Sequence, residues 1–106
     1  MKKQCLRCDP DQTYNVPFFS NAEKLELLEL KKNSPLHTVK ALMSKFELAH
    51  VDSKFIVSHI NIEYRKCHRC SFNRLEEEYM NCPRCKSLNF NWEINSHSEP
   101  SSISYL

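Results

Sequence analysis

"KCHRCSFNRLEEEYMNCPRCKSLNFNW", residues 66–92, carries two Cys-x-x-Cys pairs separated by eleven residues, Cys67 with Cys70 and Cys82 with Cys85. A structural zinc ion takes four thiolate or imidazole ligands at the corners of a tetrahedron, and each Cys-x-x-Cys turn supplies two adjacent corners. The four cysteines are therefore a complete ligand set within one short segment. Zn2+ is the expected cofactor, although iron accepts the same four thiolates. After Cys85 comes "LNFNWEI", in which Leu88, Phe90, Trp92 and Ile94 alternate with Asn89, Asn91 and Glu93. That period predicts a strand with one buried face.

The Cys-Pro-x-Cys of "CPRC", followed by an aromatic-rich strand, resembles the second knuckle of a zinc ribbon. The resemblance covers about 30 residues and implies short antiparallel strands around the metal, with "SFNRLEEEYMN" as a hairpin or looped excursion between the knuckles. Ribbon knuckles commonly place glycine after the second cysteine, whereas this chain has Ser71 and Lys86 there. If those positions need left-handed backbone, a side chain costs roughly 1 to 2 kcal/mol at each. Loop closure favours the local set: Cys70 and Cys82 enclose eleven residues, Cys8 and Cys67 enclose 58. The longer closure is dearer by roughly 1.5 kcal/mol.

A third pair, Cys5 and Cys8 in "CLRC", is surplus to one tetrahedron. It could recruit two histidines from His37, His50, His59 and His68 into a second site, join the same pair of another chain, or stay a flexible, partly exposed dithiol. Thioredoxin-type redox chemistry wants Cys-x-x-Cys opening a helix after a strand, a setting that neither later pair has.

Between the cysteine segments the periodicity is helical. Ser20 with Glu23 three residues on forms a capping box ahead of Leu25, Leu27, Leu28 and Leu30, predicting a helix over 21–32. Ser34 and Pro35 suit the cap and first position of a second helix, 35–46, with Leu36, Val39, Leu42, Met43 and Phe46 on one face. Asp52 is the expected cap of a third helix, 52–62, whose buried stripe is Ser53, Ile56, Val57, Ile60 and Tyr64. Upstream, Tyr14 and Val16 are short-strand positions in an otherwise turn-rich stretch.

The run "LHTVKALMSKFELAHVDSKFIVSHI" resembles the helical hairpin in the C-terminal domain of the bacterial ribosomal stalk protein. The matching positions are Val39 and Lys40, then Leu48, then Ser53 and Lys54, then Ile56 and Val57; Glu47 and Ala49 stand where that family has glycines at the turn. The resemblance implies a surface for proteins of the translation machinery, carried by Lys40 and Lys54. The same run can also be read as a DNA-binding helix-turn-helix whose second helix offers Lys54, Ser58, His59 and Asn61. Around the ribbon, Arg65, Lys66, Arg69, Arg74, Arg84 and Lys86 interleave with Phe72, Tyr79, Phe90 and Trp92, a patch suited to phosphate and base stacking. Glu76, Glu77 and Glu78 would repel a nucleic-acid backbone unless they face away.

Composition narrows the class. The formal net charge is only +2 over 106 residues, which neither identifies nor excludes nucleic acid as a partner. The sequence contains no glycine, so the phosphate-cradling loops that need positive φ and close backbone approach are excluded, and no nucleotide cofactor is expected. No apolar run approaches the ~18 residues of a spanning helix, and six cysteines, all in Cys-x-x-Cys pairs without an export signal, point to metal in a reducing compartment. The expectation is a cytoplasmic, non-membrane α+β protein: a segment with the first cysteine pair (1–16), a three-helix unit (17–62), a zinc ribbon with short antiparallel strands (63–95) and a Ser-rich disordered tail (96–106). No nucleophile sits beside a base in a recognisable setting, and no open zinc site with a Glu base is suggested, so no enzymatic activity is expected. The expected role is a zinc-binding adaptor contacting protein or nucleic acid; the alternatives are a small DNA-binding regulator and, less favoured, a metal carrier or thiol redox sensor. Arg69, Arg74, Arg84 and Lys86, with Lys40 and Lys54, are the expected binding surface.

Overall fold

The computed structural model describes residues 1–93. The expected strand position Ile94, the end of the ribbon at Asn95 and the tail 96–106 lie outside the described residues. Among the described residues the order is β1 (Lys2–Lys3), β2 (Tyr14–Asn15), α1 (Asn21–Asn33), α2 (Pro35–Phe46), α3 (His50–His59), β3 (Tyr79–Asn81) and β4 (Leu88–Phe90). β1 pairs antiparallel with β2, and β3 pairs antiparallel with β4 in the register Tyr79 with Phe90, Met80 with Asn89 and Asn81 with Leu88. The class is α+β, as the two periodicities of the sequence imply.

The helix starts follow from local chemistry. Ser20 Oγ accepts from Glu23 N at 3.1 Å while Glu23 Oε1 accepts from Ser20 N at 2.8 Å, satisfying two amides that the first turn of α1 leaves unpaired. Ser34 closes α1 by donating its N–H to Leu30 O, and opens α2 by accepting from His37 N with Pro35 in the first turn. One residue thus serves both helices, which accounts for their abrupt junction.

The start of α3 differs from expectation. Its cap is Ala49, with no side-chain bond, and the helix runs two residues earlier than expected at its start and three residues shorter at its end. Asp52 lies inside the first turn, buried, where its carboxylate accepts from Asn15 N at 3.1 Å and Asn15 Nδ2 at 3.4 Å. A side chain expected to cap its own helix is used instead to hold β2. Tyr64 is only half-buried and falls beyond the helix, so the stripe ends at Ile60.

In α1 only Leu27 and Leu28 are buried, and in α2 Leu36 is 62 % exposed and Met43 also lies open, so the expected apolar faces are narrower than drawn. α3 is the opposite case. Phe55, Ile56, Val57, His59, Asp52 and Ser53 are buried, because α3 packs against α2, β2 and β4 together.

After α3 the chain meets the ribbon directly. Ile60 forms a parallel bridge with Phe90, and Asn61 N donates to Phe90 O at 3.0 Å. Phe90 and Trp92, both 0 % exposed, join Cys5, Val16, Phe19, Leu28, Leu42 and Ile56 in one apolar cluster. Phe19 meets Trp92 edge-on with ring centroids 5.5 Å apart, and Tyr14 stacks on Phe55 at 4.0 Å. A smaller cluster of Leu75 with Phe72 and Met80 lies under the four later cysteines.

The strand at β4 is not half-buried. Asn89 and Asn91 are as buried as Leu88, Phe90 and Trp92, the apolar residues that alternate with them. Their amides are the reason this is tolerated: Asn89 Oδ1 accepts from His68 N at 3.1 Å, Asn91 Oδ1 accepts from Arg65 N, and Asn91 Nδ2 donates to Glu77 O at 3.1 Å. The loops of the ribbon fold over the polar face and bond to it, so both faces are covered.

Candidate metal centre

The two later cysteine pairs adopt the same backbone turn. Cys67 N donates to Phe72 O at 2.7 Å and Ser71 N returns to Cys67 O at 3.2 Å; Cys82 N donates to Ser87 O and Lys86 N to Cys82 O, both at 2.8 Å. In each turn an amide inside the loop points at sulfur, Arg69 N to Cys67 Sγ at 3.4 Å and Arg84 N to Cys82 Sγ at 3.3 Å. Closing that turn requires left-handed backbone after the second cysteine, and Ser71 and Lys86 take it, with φ of 68° and 73°. The glycine common at this place in zinc ribbons is absent, yet the left-handed geometry that glycine serves is present.

Cys67 Sγ lies 3.7 Å from Cys85 Sγ and Cys70 Sγ 3.6 Å from Cys82 Sγ, and all four sulfurs lie within 4.8 Å of one another. A tetrahedron built on Zn–S bonds of ~2.3 Å has edges of ~3.8 Å. The four cysteines therefore fit a metal ion, with zinc the usual occupant of such a set. Cys67 and Cys82 are buried while Cys70 and Cys85 are half-buried.

Electrostatics point the same way. Burial raises the thiol pKa values of Cys82 and Cys85, and the neighbouring sulfurs push Cys85 further, to about 12. Burial also works against ionisation of Cys67, but the N–H groups of Cys70 and Arg69 and the amide of Asn89 outweigh it and bring that thiol down to about 7. One thiolate is stabilised at the expense of its neighbours, because packed negative charges repel. A divalent cation held by the four sulfurs would remove that competition and let all four ionise.

The first cysteine pair is not a loose dithiol. Cys5 is 0 % exposed, and its sulfur accepts from Cys8 N at 3.2 Å and from Leu88 N of β4 at 3.3 Å. Asp9 N bonds Cys5 O at 3.1 Å, the same return bond that closes the two later turns. Cys8 is exposed, with its sulfur 3.6 Å from His59 Nε2, and Cys5, Cys8 and His59 bring their ligand atoms within 4.8 Å of one another. Of the four histidines weighed from sequence, His37 and His50 lie exposed in the first turns of α2 and α3, whereas His59 is buried beside the dithiol. Burial lowers the pKa of His59, which keeps its imidazole neutral.

The expected surface residues divide by location. Lys40, Lys54, Arg69, Arg74, Arg84 and Lys86 are all exposed. The aromatic partners proposed for base stacking are not: Phe90 and Trp92 are in the core, and Tyr79 is half-buried against Phe90 beneath Lys3. Arg7, which the sequence did not single out, reaches Cys85 O at 3.3 Å and so places a further cation beside the second knuckle. Glu76, Glu78 and Glu93 gather with Tyr64 around a separate shallow concavity, and Glu78 pairs with Lys24 of α1. Ser87 was not singled out in the sequence and Asn89 was read there only as a polar strand position, since their roles depend on contacts made far along the chain.

No protein-family model, curated protein or solved structure matches this chain. Among the described residues no helix is long and apolar enough to cross a membrane.

Proposed function

We propose that this chain is a non-enzymatic zinc-binding adaptor that docks onto another protein through its helices. The observation that carries the reading is the apolar groove of about 390 Å³ between α2 and α3, formed by Pro35, Leu36, Val39 and Val57 and edged by Lys31 and Lys54. An open apolar floor with cations at its margin suits an amphipathic segment with acidic residues on its flanks. In this reading the metal is structural: four cysteines take all four corners and leave no open coordination position for water or substrate. The ion holds the ribbon, the ribbon supplies Phe90 and Trp92 to the core, and the core sets α2 against α3.

Lys54 is one of the two positions that the resemblance to the ribosomal stalk hairpin would carry to a partner, and it borders this groove. A translation protein is accordingly the first partner class to examine. The DNA-binding alternative is less well supported, because the helix that would enter the groove of DNA buries most of its length and His59 and Asn61 with it. Burial of Phe90 and Trp92 likewise argues against single-strand stacking.

The test is a photo-crosslinker placed at residue 36, with residue 2 as a control position, in the full chain expressed at native level. A discrete adduct from position 36 that disappears when Lys54→Glu, at an exposed position on the rim of the groove, is added to a folded, zinc-loaded chain is expected. Absence of an adduct, together with salt-sensitive binding to duplex or single-stranded oligonucleotides at low ionic strength, would replace this reading with the nucleic-acid one.

A further inference from the structure

The N-terminal dithiol has more order around it than a pair of surplus thiols requires. We propose that Cys5, Cys8, His59 and His68 hold a second zinc ion, a Cys2His2 site fused to the four-cysteine ribbon.

Three of the four ligand atoms already converge. The separation of 3.6 Å between Cys8 Sγ and His59 Nε2 equals the edge of a tetrahedron with Zn–S at ~2.3 Å and Zn–N at ~2.0–2.1 Å, which is ~3.6 Å. Cys5 Sγ completes the face, within 4.8 Å of both.

The tautomers of both histidines are set for this task. His59 Nδ1 lies 2.6 Å from Phe55 O, a group that can only accept, so Nδ1 carries the proton and the Nε2 lone pair faces Cys8. His68 repeats the arrangement. Its Nδ1 lies 2.9 Å from Asn89 Oδ1 and 3.2 Å from Asn61 Oδ1, and the Asn89 amide is oriented independently by His68 N–H on its oxygen and by Ser87 O on its nitrogen. His68 Nδ1 is therefore the protonated nitrogen as well, and Nε2 is left as an acceptor, 3.4 Å from Ser87 Oγ. Ser87 Oγ lies in turn 3.9 Å from Cys5 Sγ. A carbonyl on the far nitrogen of each ring is the usual outer support of a metal-bound histidine. The two rings stand 5.5 Å apart between centroids, against ~5 Å for two imidazoles bound to one ion through Nε2 at ~2.0–2.1 Å, so a small inward shift of His68 from Ser87 brings it to the fourth corner.

Charge distinguishes the two sites. Zinc with two thiolates and two neutral imidazoles carries no net charge, which suits a centre whose Cys5 belongs to the apolar core. Zinc with four thiolates is doubly negative, and that centre is ringed by N–H donors from Arg69, Arg84 and Asn89. Asn89 touches both, giving its oxygen to His68 and its nitrogen to Cys67 Sγ at 3.5 Å. Loading the second site releases two thiol protons.

The experiment is native mass spectrometry with elemental analysis on the full chain purified without added metal, for wild type and for two variants at exposed positions, Cys8→Ser and His68→Ala. Two zinc ions per wild-type chain are expected, with one lost from either variant under a mild chelator while the other is retained. Cobalt substitution supplies a second readout: after the chelator step, thiolate charge transfer should come from six sulfurs in wild type and from four, those of the retained site, in Cys8→Ser. One zinc per chain, with Cys5 and Cys8 alkylated in the native state, would overturn the second site and leave the ribbon reading intact. Three zincs per dimer would assign the dithiol to a partner chain, and an unchanged second zinc in His68→Ala would remove His68 from the ligand set; either result overturns the proposal.

Discussion

Ser71 and Lys86 show how a single backbone angle can be read from a motif even when the expected residue is missing. Both are left-handed and both are exposed, so each carries the steric cost of a Cβ without burying the side chain in return. Ser71→Gly and Lys86→Gly are each expected to raise stability by about 1 kcal/mol, less the backbone freedom that glycine restores to the unfolded chain. Urea unfolding of the zinc-loaded protein measures it, and a lowered midpoint in both would mean the turns gain something from these side chains. Lys31 is a second residue-scale case. Burial lowers its ammonium pKa from 10.5 to about 8, while Nζ donates to Ile60 O. Because the folded pKa is the lower one, the unfolded chain binds more protons between pH 8 and 10.5, and stability from this group rises with pH across that window. Below pH 8 its cost is constant. Lys31→Met should flatten that part of the stability curve relative to wild type. The left-handed turns were legible because knuckle geometry is local; the position of Lys31 was not, since its partner is the end of α3.

At the scale of elements, α1 and α2 were legible nearly to the residue, and the reason is that their caps are short-range. Ser20, Glu23, Ser34 and Pro35 act within three or four positions of themselves. Ser20→Ala should cost about 1 kcal/mol, read as a lower melting temperature with the metal content unchanged. Asp52 was misread because residue type alone cannot tell a cap from a buried acceptor. Its partner Asn15 is 37 positions away. Asp52→Ala strands the Asn15 amide, and the expected loss is about 1 to 3 kcal/mol, accompanied by faster hydrogen exchange in β2. Exchange confined to the first turn of α3 would instead restore the capping role. The strand at β4 was legible as a strand and illegible as a doubly covered one. Alternation reports which side chains are apolar, and asparagines bonded to loops look the same in sequence as asparagines bonded to water.

For the molecule as a whole, the cysteine spacing gave away the four-cysteine cluster, since all four of its members lie within 19 residues, 67–85. The seat of the first pair was hidden because no spacing rule connects Cys5 with Leu88 or Cys8 with His59. The core joins these distant parts: Cys5, the three helices and β4 share one apolar cluster. Trp92→Ala should therefore cost about 3 to 5 kcal/mol and weaken the helices as much as the ribbon. Circular dichroism during metal removal should lose helical signal in the same transition as the metal; helices that persist would show that α1 to α3 stand without the ribbon. The bond from Leu88 N to Cys5 Sγ spans 83 positions and has a bearing on how the chain is made. At 5 to 20 residues per second, the ribosome exposes Cys5 roughly 4 to 17 s before it delivers Leu88. During that interval two nucleophilic thiols wait without the strand that shelters one of them. Newly made chains should therefore depend on reductant and on metal supply far more than finished ones do.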